Sequence, residues 1–220
     1  MKIKKPPIVE MSNAISDIHN YGINIYTREI FLTSHISEGE VDDPGVDWRC
    51  ANTFIRNLSI LEFMGRAKIT VHMLLVPGGD YDTGMAIYNA IKSCKSYVKI
   101  IVHGAANSMS SVILQAADWR VLSPNSSIML HHGSISLSDT SQSAAAAIKE
   151  NNKNCRYMID IFANRAINGE HFKEYKNQKF GIKKVSAYIN DALKSNLDWY
   201  ISAEECVKFG FADEILKHIK

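Results

Sequence analysis

Apolar and polar positions along this 220-residue chain change period often enough to predict most of its elements. From Ile23 to Ile36, INIYTREIFLTSHI reads as one strand, or as two joined at Thr27–Glu29. Trp48 to Gly65 carries Phe54, Leu58, Leu61 and Phe63 at helical spacing. Ile69 to Val76 is alternating, then continuously apolar, a strand that stops at Pro77-Gly78-Gly79. Thr83 to Lys92 returns to helix, with Met85, Ile87, Tyr88 and Ile91 apolar. Ile100-Ile101-Val102 has the β-branched composition of a buried strand, expected to break at Gly104 and restart as a helix from Met109. Short strands are expected at Arg120–Leu122 and Ile128–Leu130. A long helix is predicted from about Gln142 to Ile167, carried by four alanines and then Tyr157, Ile161 and Phe162. Gly169 to Asn196 is polar and Lys-rich, with helical periodicity only around Val185–Leu193. After an apolar patch at Trp199–Ile201, Ser202 and Glu205 form a capping box that opens a last helix, ending near Gly210. Strands alternating with helices predict an α/β fold with a largely parallel sheet.

Three stretches fall outside this pattern. The polar, Pro-containing first 20 residues or so read as a mobile or docking arm. Ser37 to Asp47 is an acidic loop with a Pro-Gly turn, whose carboxylates suit the start of the following helix better than a metal. Gly133 to Ser143, rich in Ser, Gly and Thr, reads as an exposed loop.

Composition narrows the class without naming a chemistry. Hydrophobic content of 46% and charged content of 22% are those of an ordinary globular protein, and a net charge of +2 favours no partner. No basic block or stripe interleaved with aromatics stands out, which argues against nucleic acid. Apolar runs are too short to span a bilayer, and the basic N-terminus lacks the apolar stretch of a signal peptide. Cys50, Cys94, Cys155 and Cys206 are widely spaced, as in a reducing compartment, so the expected location is cytoplasmic.

Candidate chemistry sits where strands end. Ser108 lies at the expected junction of strand and helix, where free amides and the helix dipole favour negative charge. A serine N-cap would occupy the same position. Pro77-Gly78-Gly79 lets the backbone take positive φ and approach a ligand, although it also marks plain turns. It completes neither a dinucleotide-binding nor a P-loop pattern. Ser108 is not in G-x-S-x-G, because Ala106 and Ser110 stand where glycines would. His131 and His132 end an apolar run and lack a third ligand at metal spacing. Asp198 precedes Trp199-Tyr200 and alone is an ordinary acid.

Together, VPGGDYDTGMAIYNAI, GAANSMSS, SPNSSIMLHH and LDWYISAEECVKFGFADEIL resemble, in the same order, the proteolytic subunit of the Clp protease family. IFLTSHI is a further match, and the likeness runs from about Ile25 to Ile215. The interval of 29 residues from Gly79 to Ser108 agrees with the family's. The resemblance implies a ClpP/crotonase-type α/β fold of repeated β-β-α units, with residues 142–167 as a protruding handle helix on a domain of residues 23–220 behind an arm of residues 1–22. It implies a serine endopeptidase with a triad of Ser108, His131 and Asp198, an oxyanion hole from the amides of Gly79 and Met109, and no cofactor or metal. It also implies a homo-oligomeric ring, heptameric or stacked in two, acting on polypeptides with an AAA+ unfoldase as possible partner.

The chain departs from the family where His132-Gly133 replaces the usual Gln-Pro and where Asn196-Leu197 replaces an acid-Arg pair. The interval from His131 to Asp198 is longer than usual, and the excess falls at about 173–191, read as an insertion. These departures suit a phage prohead maturation protease, which shares the triad, at least as well as a housekeeping subunit. A non-proteolytic acyl-CoA-binding member of the same fold, or an inactive scaffold subunit, would not need the triad.

Overall fold

The structure, a computed structural model, describes residues 8–33, 45–133 and 140–217. Most of the acidic loop, part of the Ser/Gly loop and the first seven residues of the arm lie outside the described residues. Strands β1 (Ile23–Asn24) and β2 (Glu29–Leu32) form an antiparallel pair, the two-strand form of the expected segment. β3 (Ile69–Val76), β4 (Val98–Asn107), β5 (Trp119–Leu122) and β8 (Glu214–Ile215) extend the sheet in parallel in the order β1-β2-β3-β4-β5-β8. β6 (Ser127–Leu130) pairs in parallel with the far half of β4, and β7 (Trp199–Ser202) pairs antiparallel with β6.

Alternation decides which face is covered. Ile69, Val71 and Met73 of β3 and Val98, Ile100 and Val102 of β4 are buried. They form one core with Phe54, Leu58 and Leu61 of α2 (Trp48–Phe63) and Ile87 and Ile91 of α3 (Tyr81–Ser93). Both of these helices, and the last one, start at side-chain caps. Asp47 accepts from the Cys50 amide at 2.9 Å, Asp80 from the Thr83 amide at 2.9 Å, and Ser202 and Glu205 form the expected capping box of α7 (Ala203–Phe209).

Two elements differ from expectation. β4 does not break at Gly104 but runs on to Asn107, because Ala105 to Asn107 find a second partner in β6. Gly104 serves a different purpose: a Cβ there would lie 2.6 Å from the Leu74 carbonyl, beside the register shift between Met73 and Leu75. Ile8–Tyr21 forms a helix, α1, within the stretch expected as an arm. Met11, Ile15 and Ile18 recur at helical spacing, and Pro6-Pro7 stands before the helix, where proline is tolerated.

The long helix α5 (Ser141–Ala166) spans 26 residues, about 39 Å at 1.5 Å per residue. Its buried side chains run only from Cys155 to Ala166. The half that precedes them buries no side chain. A 3-10 turn (Glu170–Phe172) and helix α6 (Gly181–Asn196) follow, so helical structure reaches well beyond the short periodic stretch. Phe180 caps α6 in the left-handed region at φ 65°, which hides its start from capping rules.

The uncovered face carries a chain of polar contacts across three strands. His72 Nδ1 lies 2.9 Å from His103 Nε2, and His72 Nε2 lies 3.4 Å from Glu29 Oε1. A bond between two imidazoles needs one donor and one acceptor, so the pair cannot hold two extra protons and stay joined. Burial, then the neighbouring His72, holds His103 below the ordinary imidazole value. The unfolded chain therefore binds this proton more readily, and the contribution to stability, complete above the ordinary value, is lost as pH falls towards the folded one. Scanning calorimetry from pH 7 down to pH 5 is expected to show a steeper fall in melting temperature for the native chain than for His103→Gln, whose amide still donates to His72. Parallel curves would remove the pair from the acid response.

Candidate active site

Strand register brings the three predicted side chains together. Asn107 of β4 pairs with Met129 of β6, so Ser108 follows at the end of one strand beside the end of the other. Leu130 of β6 pairs with Trp199 of β7, which sets His131 and Asp198 opposite each other one step further on. Ser108 Oγ lies 2.6 Å from His131 Nε2, and His131 Nδ1 lies 3.4 Å from Asp198 Oδ1. The first contact is a short hydrogen bond, whereas the second is long for a charged pair. Asp198 is the open end of the array, with its side chain 55% exposed. It follows Leu197, held at φ 59° and ψ −74°, a conformation that few non-glycine residues adopt.

Ser108 itself sits at φ 52° and ψ −123°, a region favoured by glycine, immediately before α4 (Met109–Leu114). The strained strand-to-helix turn that G-x-S-x-G would have signalled is therefore present without its glycines. Its restraint comes from neighbours: the Ser108 amide donates to the Met129 carbonyl at 2.7 Å, and Gly78 lies against the serine. A Cβ on Gly78 would come within 2.7 Å of Ser108 Cβ. One on Gly79 would strike the Val46 carbonyl oxygen at 2.4 Å. Both glycines take the expected positive φ, 114° and 143°. The close approaches that require glycine are to Ser108 and Val46 of the protein itself.

The amides of Gly79 and Met109 make no hydrogen bond among the described residues. Both residues line an open cleft of about 450 Å³ with Ser108 and His131. Two unpaired N–H groups beside a hydroxyl–imidazole pair can stabilise an oxyanion formed when the hydroxyl adds to a carbonyl. Behind the serine lies a cavity of about 20 Å³, lined by Leu130, Met158, Phe162 and Leu193 among others, room for little more than one small group. No cluster of three or more His, Cys, Asp or Glu side chains suited to a metal occurs among the described residues.

His132 is a site residue whose part the sequence did not define. It borders the cleft, the small cavity and a third groove between α5 and α6. Burial, and then the neighbouring Lys194 and His131, holds its imidazole below the ordinary value. The Cys155 thiol donates to the His132 carbonyl and ties this segment to α5. The doublet His131-His132 was the available signal, but only the pairing of β6 and β7 tells the two rings apart.

Comparison with known proteins follows the same segments. Residues 25–219 match a family model described as Clp protease. The chain is 28% identical over 173 residues to the ATP-dependent Clp protease proteolytic subunit of Deinococcus radiodurans, covering 78% of this chain and 76% of that protein. It is 27% identical over 203 residues to proteolytic subunit 3 of Synechococcus sp. (strain CC9605), covering 89% and 88%. Proteolytic subunit 1 of Protochlamydia amoebophila is 28% identical over 194 residues, covering 86% and 81%.

Backbone strain at Ser108 is open to a direct test. Ser108→Ala and Ser108→Gly both lose the bond to His131, but only glycine relieves the φ and ψ. The glycine variant is expected to be the more stable of the two by about 1 kcal/mol in urea unfolding. Equal midpoints would mean that the turn stores no strain.

Proposed function

The chain belongs to the Clp protease family, and from that premise we propose that it is a serine endopeptidase working through Ser108, His131 and Asp198. The observation that carries this reading is the 2.6 Å contact between Ser108 Oγ and His131 Nε2, on a strained turn next to two unpaired amides. Ser108 Oγ attacks the peptide carbonyl while His131 takes its proton. The amides of Gly79 and Met109 hold the resulting oxyanion. His131 then protonates the leaving amine, and the acyl-enzyme is released by water activated in the same way. Asp198 holds the imidazole in the tautomer that leaves Nε2 free to accept, and it stabilises the imidazolium. Removing one oxyanion donor in a site of this kind costs about 3 kcal/mol of barrier.

A ring of copies is part of the proposal. The first half of α5 leaves its side chains without a core, and Ile148 and Tyr157 are 42% and 50% exposed. The relatives' designation as ATP-dependent supports a separate unfoldase ATPase that delivers polypeptide to the ring. No helix among the described residues is long and apolar enough to cross a membrane, and the four cysteines are free. The free thiols support a reducing compartment, the cytoplasm.

A fluorophosphonate probe is expected to label the native chain at neutral pH and to leave Ser108→Ala unlabelled. Turnover of a fluorogenic peptide is expected to fall by about 10³-fold or more in His131→Ala, and far less in His132→Ala. Absence of labelling in the folded protein would overturn the peptidase reading, and near-normal turnover in both histidine variants would overturn the choice of base.

A further inference from the structure

Residues 173–184, KEYKNQKFGIKK, hold five lysines (Lys173, Lys176, Lys179, Lys183 and Lys184) against one acid, Glu174. They form a basic run inside the polar, Lys-rich stretch of the sequence, against the expectation of no basic block. In the fold they occupy the turn that precedes α6 and the first turn of α6 itself. Phe172 anchors the turn with no exposure, and Gly181 sits so close that a Cβ would meet the Tyr175 carbonyl oxygen at 2.0 Å. All five lysines are exposed, and among the described residues none lies within ion-pair distance of a carboxylate. Among the described residues only the Lys184 ammonium of the five has a hydrogen-bond partner, Gln178 Oε1 at 2.6 Å. At the centre of the platform Phe180 and Ile182 are 59% and 43% exposed. An apolar centre inside an unneutralised cationic rim is the anatomy of a surface that binds an anionic partner with some apolar content.

The platform shares α6 with a groove that leads to the site. From Gly181, α6 runs towards Asp198, and the groove of about 700 Å³ between α5 and α6 reaches from Ser186 to His132, which borders the Ser108 cleft. Arg156 and Lys194 line this groove, and its acid, Asp160, accepts from the Ser186 hydroxyl at 3.0 Å. Lys184 and Lys194 are ten residues apart on one helix, about 15 Å, a span that about four or five extended residues cover.

We propose that this turn is an exosite for acidic polypeptide segments, favouring substrates with a run of Asp and Glu about five residues or more from the scissile bond. The inference rests on the peptidase reading and specifies its substrate class. Nucleic acid is the poorer fit. The ammonium groups of Lys179 and Lys183 already lie over the Phe180 ring, 5.2 and 5.3 Å from its centroid, and Lys184 lies over Tyr175 at 5.5 Å, so a base stacking on either ring would compete with these contacts. The cations also form one compact patch rather than a stripe that could track a phosphate backbone.

The test compares internally quenched peptides of one cleavage sequence carrying four acidic or four amide residues at that distance, on either side of the scissile bond. The acidic peptide on one side is expected to show a KM lower by about fivefold with unchanged kcat, and to lose the advantage at about 0.5 M salt. The combined variant Lys179→Ala, Lys183→Ala, Lys184→Ala is expected to abolish the preference and leave the amide peptide unaffected, whereas Lys92→Ala on α3 changes neither. Equal KM values for both peptides, or a preference that survives the triple variant, would overturn the exosite. Fluorescence anisotropy of the labelled acidic peptide on Ser108→Ala protein reads the same surface without catalysis. Tighter binding there by a single-stranded oligonucleotide of equal charge would also overturn it. Failure of fluorophosphonate labelling with charge-dependent binding intact would sink the peptidase reading alone. Labelling without charge preference would sink the exosite alone.

Discussion

The hydrogen bond from the Ser108 amide to the Met129 carbonyl is the constraint on which the site depends. β4 is longer than either of its neighbours on that edge, so it pairs with β5 through Val102 and with β6 from Ala105 onward. The strand is thereby carried past the point where Gly104 would let it stop. It ends where β6 ends, and the chain must turn at once into α4 with a non-glycine residue in a glycine conformation. A free strand end would relax out of that geometry. Here the amide bond on one side and Gly78 on the other leave no room to do so, and the strain is balanced by the core behind it.

The far edge of the sheet is held by charge in a place with little water. Arg120 is 4% exposed and makes a two-pronged contact with Asp213, through Nε to Oδ2 at 2.9 Å and Nη2 to Oδ1 at 2.6 Å. Its remaining nitrogen donates to Gln115 Oε1 and to the Gly210 carbonyl. One guanidinium so joins β5, the end of α4 and the chain after α7. A buried cation is tolerated only when its donors are satisfied in this way, and the arrangement fixes geometry more surely than it adds stability. Its effect on function is indirect: α7 follows β7 directly, so anchoring its far end steadies the strand that presents Asp198.

The elements were legible where burial is one-sided. Phe54, Leu58 and Leu61 announce α2, Val71 and Met73 announce β3, and Ser202 with Glu205 announces α7, because each pattern reflects a local rule. Gly104 misled because a glycine in a strand signals both a break and a close backbone approach, and only the neighbouring carbonyl of Leu74 separates the two. The start of α6 was hidden because Phe180 violates the capping preference that normally marks a helix. Ser108, His131 and Asp198 were legible through their resemblance to a family and not through local rules, which would have left the serine as an N-cap.

By itself the sequence determined which residue types stand at strand ends, which helices could form and where glycine had to lie, since these follow from side-chain size, period and backbone freedom. Only the tertiary structure decided that the ends of β4, β6 and β7 meet at one point and that His131 rather than His132 faces Ser108. Those outcomes depend on strand register and on contacts between residues distant in the chain, and a single residue's slip in pairing would have turned each side chain to the opposite face.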